Sequence, residues 1–118
     1  MSATTLLFLV GLACLFTHEL DAIQQHEWRF FFASSSFSDT TAYGLFAAAH
    51  VPLFVLIVAN WESSAFQVGL DVFLVIHAGL HTLLRKHPLL TFNSGFSRLW
   101  IYGGAVCGAA HLALLTAT

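Results

Sequence analysis

From Thr41 to Trp61 the chain carries no aspartate, glutamate, lysine or arginine, and from Leu99 to Ala117 it again carries none. A third apolar run, Ala65–Leu84, contains Asp71 and otherwise no such residue before its end. Crossing the hydrocarbon core of a bilayer takes roughly 20 helical residues, so each run is long enough to span it. Thr4–Thr17 is a shorter fourth run, and neither Pro nor Gly interrupts the chain between Leu12 and Phe32. Its helix is expected to continue through His18-Glu19-Leu20-Asp21-Ala22-Ile23 into Phe30-Phe31-Phe32 as one long, partly polar span. Backbone polar groups in lipid must be satisfied within the segment, which favours helices. The expected fold is therefore all-α: an integral membrane four-helix bundle of antiparallel, up-down topology, with residues 1–118 as one domain.

Composition agrees with that frame. Of 118 residues, 58% are hydrophobic and 8% charged, where a soluble domain carries about a quarter charged. The opening Met1-Ser2-Ala3-Thr4-Thr5 lacks the basic residues of a signal peptide, so the first run is read as a membrane helix. Cys14 and Cys107 fall inside spans one and four, where thiols act as small apolar packing groups. Four basic residues and no basic patch set nucleic acid aside.

Those four cations also suggest an orientation. Arg29 follows span one, Arg85 and Lys86 follow span three, and Arg98 precedes span four. In an up-down bundle all share one face. The positive-inside rule makes that face cytoplasmic and puts both termini outside. Trp28, Trp100 and Tyr102 near one boundary, and Trp61 near the other, suit interfacial aromatic belts. Asp39 or Thr40 is expected to cap span two, and Ser97 span four. His87-Pro88 is expected to end span three. Pro52 should kink span two and free the Ala48 carbonyl beside His50.

The polar residues within these spans point towards function. An unpaired imidazole or carboxylate in hydrocarbon costs roughly several kcal/mol, so each needs a partner. A rise of about 1.5 Å per residue puts His18, His50, His77 and His81 in one layer, about 6 to 12 Å from the basic face. His77 and His81 are four apart and share a helix face, the spacing with which helices offer two nitrogens to one metal. Asp21 lies three residues from His18 on its face, and Glu19 about 100° around. The candidate ligand set is His18, His50, His77 and His81, with Asp21 or Glu19 supplying oxygen. Such nitrogen-plus-carboxylate donors suit iron, zinc, manganese or copper. Haem b is a second candidate cofactor, because any two of His18, His50 and His77 would suffice as axial ligands.

Asp71 and His111 come out at similar depths near the opposite face, about 9 and 10 Å in. They are expected to pair between spans three and four, as a structural clasp or a proton relay. Gly104 and Gly108 form a small-xxx-small face for close packing within the bundle or between subunits. Glu27 is expected to pair with Arg29, Arg85 or Lys86 on a solvated rim that also holds His26. His87 is read as a surface or capping residue, or as a third imidazole after His77 and His81.

The His77-to-His81 spacing resembles one histidine box of integral-membrane di-iron hydroxylases, but the adjacent His-His pairs of those enzymes are absent. No phosphate-cradling glycine loop and no His-Glu-x-x-His motif occurs. The residues fit a redox or oxidase-like metalloprotein. They also fit a non-catalytic accessory subunit of a larger membrane complex, or a homo-oligomer, whose buried polar groups only fix helix packing.

Several motifs carry a wider resemblance: His18-Glu19-Leu20-Asp21-Ala22-Ile23, Glu27-Trp28-Arg29, His50-Val51-Pro52-Leu53-Phe54, and Ile76-His77-Ala78-Gly79-Leu80-His81 with His87-Pro88. Over most of its length the chain resembles an uncharacterised family of small, histidine-containing, four-span bacterial membrane proteins. That resemblance implies the fold and a bacterial inner (or thylakoid) membrane, and brings no activity or ligand.

Overall fold

A computed structural model describes residues 1–118, all helix and connecting turns. Four long helices, α1 (Ala3–Gln24), α3 (Asp39–Asn60), α4 (Ser64–Leu83) and α5 (Gly95–Thr116), are joined by turns and by the four-residue α2 (Trp28–Phe31). Each of the four is long and apolar enough to cross a membrane.

Serine starts every long helix. The hydroxyls of Ser2, Ser38, Ser63 and Ser94 accept from the backbone N–H groups of Thr5, Thr41, Phe66 and Ser97, three residues on. These contacts satisfy donors that the first turn leaves orphaned. The caps expected at Asp39 or Thr40 and at Ser97 therefore shift to Ser38 and Ser94. Asp39 instead accepts from Arg29 at 2.8 Å, and Ser97 sits inside the first turn, fully buried.

The continuous first helix expected to reach Phe32 stops at Gln24. His26 adopts φ 56°, the left-handed conformation, although it is not glycine. Its N–H donates to the Ile23 carbonyl, and that of Glu27 to Ala22. That pair of bonds is a Schellman termination, and backbone geometry ends the helix where no Pro or Gly announces it. The turn folds the chain back, so Glu27 lies 7% exposed beneath α1 rather than on a solvated rim.

Side-chain pairs give the directions. Phe8 meets His111 and Cys14 lies at Gly103 and Gly104, so α1 and α5 run antiparallel. Asp71 meets His111 and Thr82 meets Tyr102, so α4 and α5 do too. α1, α4 and α5 pack tightly through small residues. A Cβ added at Gly11 would come 3.3 Å from Cys107 Cβ, and one at Gly108 would come 3.1 Å from the Asp71 carbonyl oxygen. Because the Gly108 neighbour is backbone, Gly108→Ala should force α5 off α4. The expected loss is about 1–3 kcal/mol of stability, read as an earlier midpoint in denaturant titrations in detergent.

α3 is peripheral. It contributes only Ala42 and Ile57 to the interior. Ile57 joins Phe8, Leu12, Leu15, Leu70 and Leu74 in one apolar cluster. A second cluster, Ala22, Ala78, Leu90, Phe92 and Ile101, fills the end nearest the basic residues. Leu90 and Phe92 come from the α4–α5 connection, which is tied to α1 by a 3.1 Å bond from the Thr91 hydroxyl to the Gln25 side chain.

Candidate metal centre

α1 and α4 each bring histidine to the same level above that second cluster. The ring of His18 lies 4.7 Å from that of His77 and 5.0 Å from that of His81, centroid to centroid. One nitrogen from each of the three rings falls within 4.8 Å of the others. His77 and His81, one turn apart, place their Nε2 atoms 3.1 Å from each other. Phe92 meets His81 perpendicularly and also packs on His18, closing the group from the side of the connecting loop.

His18 is 1% exposed, and neither of its ring nitrogens has a hydrogen-bond partner. Glu27 Oε2 is likewise buried without one. It lies 3.8 Å from His18 Nε2. Burial, and then the neighbouring Glu19 carboxylate, push the Glu27 carboxyl up to about 7; His50 opposes them and Asp21 adds a smaller push. From the order of residues alone, Glu27 is expected on the rim. What buries it is the left-handed turn at His26, which no Gly or Asn marks in the sequence.

The remaining candidates go elsewhere. His50 meets a different face of α1, about 100° around from His18, where its Nε2 lies 2.7 Å from Glu19 Oε2. Its Nδ1 lies 2.8 Å from the Phe46 carbonyl. A carbonyl only accepts, so Nδ1 carries a hydrogen, and one further proton is shared along the Nε2–Glu19 contact. His50 and Glu19 thus satisfy each other. Asp21 is 3.5 Å from the Gln25 amide through Oδ1, while its Oδ2 is buried and unpartnered. His87 stands apart, its Nδ1 accepting from the Leu89 N–H. At the other end of the bundle, His111 Nδ1 and Asp71 Oδ2 meet at 2.6 Å with both side chains 1% exposed.

The donor set fits a small metal ion. In tetrahedral zinc–imidazole coordination, bonds of about 2.0–2.1 Å put neighbouring nitrogens about 3.3 Å apart, close to the His77–His81 separation. Both cysteines are free and pack between α1 and α5, and neither thiol joins the group of three rings. The cluster is therefore nitrogen-rich with a carboxylate behind it.

No curated protein matches the chain. No solved structure matches it either. A family model described as a family of unknown function, DUF6713, matches residues 4–118. With nearly the whole length aligned to that model, the chain belongs to the DUF6713 family.

Proposed function

We propose that this is a membrane metalloprotein that binds one transition-metal ion through His18, His77 and His81. The observation that carries the reading is the pair of orphaned nitrogens on His18. A helix-packing role accounts for the His77–His81 contact, one ring donating to the other. It leaves two buried nitrogens of His18 unsatisfied, at roughly 1–3 kcal/mol each. A metal ion takes one of them. The other then faces Glu27, and a carboxylate behind a ligating imidazole fixes its tautomer and raises its basicity.

Three imidazoles in mutual contact suit a single small ion better than a macrocycle, which needs its axial rings on opposite faces. Histidine with carboxylate support matches iron, zinc, manganese or copper. Such an ion, held by three protein ligands, supplies an open position for a small ligand, with electron exchange added where the metal is redox-active. The chain's own residues hold the ion, shield it with Phe92 and place a proton acceptor at Glu27. The same reading puts the centre in the half of the membrane next to the basic residues, with both termini beyond the opposite face.

Elemental analysis of detergent-purified protein tests this, together with its absorption spectrum. About one equivalent of iron, zinc, manganese or copper is expected, and it should disappear in His18→Ala while far-UV circular dichroism is unchanged. A Soret band would assign haem instead, and a metal-free protein with no chromophore would leave only the packing role. Glu27→Gln keeps the shape and removes the charge. It should weaken metal affinity by about 10–100-fold in competition with a chromogenic chelator, without abolishing binding.

A further inference from the structure

Beside the histidine cluster, a cavity of about 300 Å³ opens between the α4–α5 connection and the adjoining helix ends. Arg85, Asn93, Arg98 and Tyr102 line it, with His81 in its wall. We propose that this cavity binds a phosphate group between the guanidinium ions of Arg85 and Arg98.

Charge balance favours an anion in this cavity. Of the four basic residues, Arg29 is paired with Asp39, whereas Arg85 and Arg98 form no ion pair. None of the six acidic residues lines the cavity. Glu19 is held by His50, Asp39 by Arg29 and Asp71 by His111, while Glu27 stands nearest His18. Arg85 spends one N–H on the Thr82 carbonyl at 3.2 Å, which anchors the side chain and leaves the rest of its fork free. Two planar guanidinium groups around one space match the geometry and double charge of a phosphate monoester.

The walls reinforce the choice. Asn93 immediately precedes Ser94, the N-cap of α5, and the first turn of that helix contains no acid. The positive end of a 22-residue helix therefore borders the same space. The Thr82 hydroxyl donates to the Ala78 carbonyl, so in its 2.7 Å contact with Tyr102 the tyrosine supplies the hydrogen. Tyr102 is thus a polar wall, and the donors for an anion are the two arginines and the Asn93 amide. Two sources offer this chemistry at a membrane boundary: a soluble phosphate or phosphate ester, and a lipid headgroup ending in a phosphate monoester.

The proposal stands apart from the metal, since the arginines act whether or not His81 holds an ion. The test therefore uses chelator-treated protein in a maltoside detergent, whose headgroup carries no phosphate. Inorganic phosphate is titrated by calorimetry, and retention of phosphatidic acid is followed by native mass spectrometry. Saturable binding of one probe is expected, weakened on the order of tenfold in Arg85→Ala and in Arg98→Ala. Both arginine side chains are exposed, so the variants should unfold at the wild-type temperature. Lys86→Ala, next in sequence but outside the cavity, should bind as wild type. Inorganic phosphate binding identifies a soluble ligand, and phosphatidic acid alone identifies a headgroup. Failure of both probes to saturate overturns the proposal, as does a Lys86→Ala loss equal to that of the arginine variants.

Discussion

Alanine at His77 is expected to remove metal-dependent stabilisation altogether. An ion that binds only the folded state stabilises it by RT ln(1 + [L]/Kd), about 2.7 kcal/mol at a hundredfold excess over Kd. Wild-type protein should therefore show a midpoint of unfolding that climbs with added metal. His77→Ala should show one flat midpoint across the same titration, because losing one of three nitrogens weakens the centre well beyond the roughly 10–100-fold of a supporting residue. In the absence of metal, the two proteins should unfold close together. The His77–His81 contact is a single hydrogen bond, worth about 1 kcal/mol at most sites. A metal-dependent rise of equal size in His77→Ala would show that the ion binds elsewhere.

The second large effect lies at the far end of the bundle and has nothing to do with the ion. Asp71 and His111 are sealed between α4 and α5 at 2.6 Å. Asp71→Ala leaves the imidazole buried without its partner and is expected to cost about 3–5 kcal/mol. Replacing both residues by leucine should cost much less, since no uncompensated polar group then remains. The cycle of Asp71→Leu, His111→Leu and the double variant, followed by denaturant titration in detergent, isolates the interaction from the packing change that each substitution makes. Single variants that merely sum to the double would show the two side chains to be independent.

Much of the architecture is legible in the residues because lipid imposes it. Lack of charge over a span-length run leaves few alternatives to a transmembrane helix, and connections with no span-length apolar run of their own cannot recross the bilayer, so direction alternates. Counting helical rise brings His18, His77 and His81 to one level, and likewise Asp71 and His111. Rise does not give azimuth between helices. His50 shares the level of His18 but approaches α1 on a different face, where Glu19 meets it. Which face a helix turns to its neighbour is decided by packing, and nothing in the order of residues along α3 announces it. Glu27 was hidden for a different reason. A histidine in left-handed conformation reverses the chain at a point where composition suggests uninterrupted helix, and this reversal carries a carboxylate under the imidazoles.

The loose attachment of α3 has a consequence for how the molecule comes apart. Local opening begins in regions with few interior contacts. α3 holds on through Ile57, the Phe16–Phe54 edge contact and the His50–Glu19 pair, and near its start through Ala42, the exposed Arg29–Asp39 bond and the rings of Trp28 and Phe31. Pulled from its C-terminus in a force experiment, the chain must surrender α5 and α4 early. Pulled sideways, or loosened by detergent, it sheds α3 first. Because no member of the histidine triad resides on α3, the remaining three-helix unit keeps all three nitrogens in place while that outlying helix swings free.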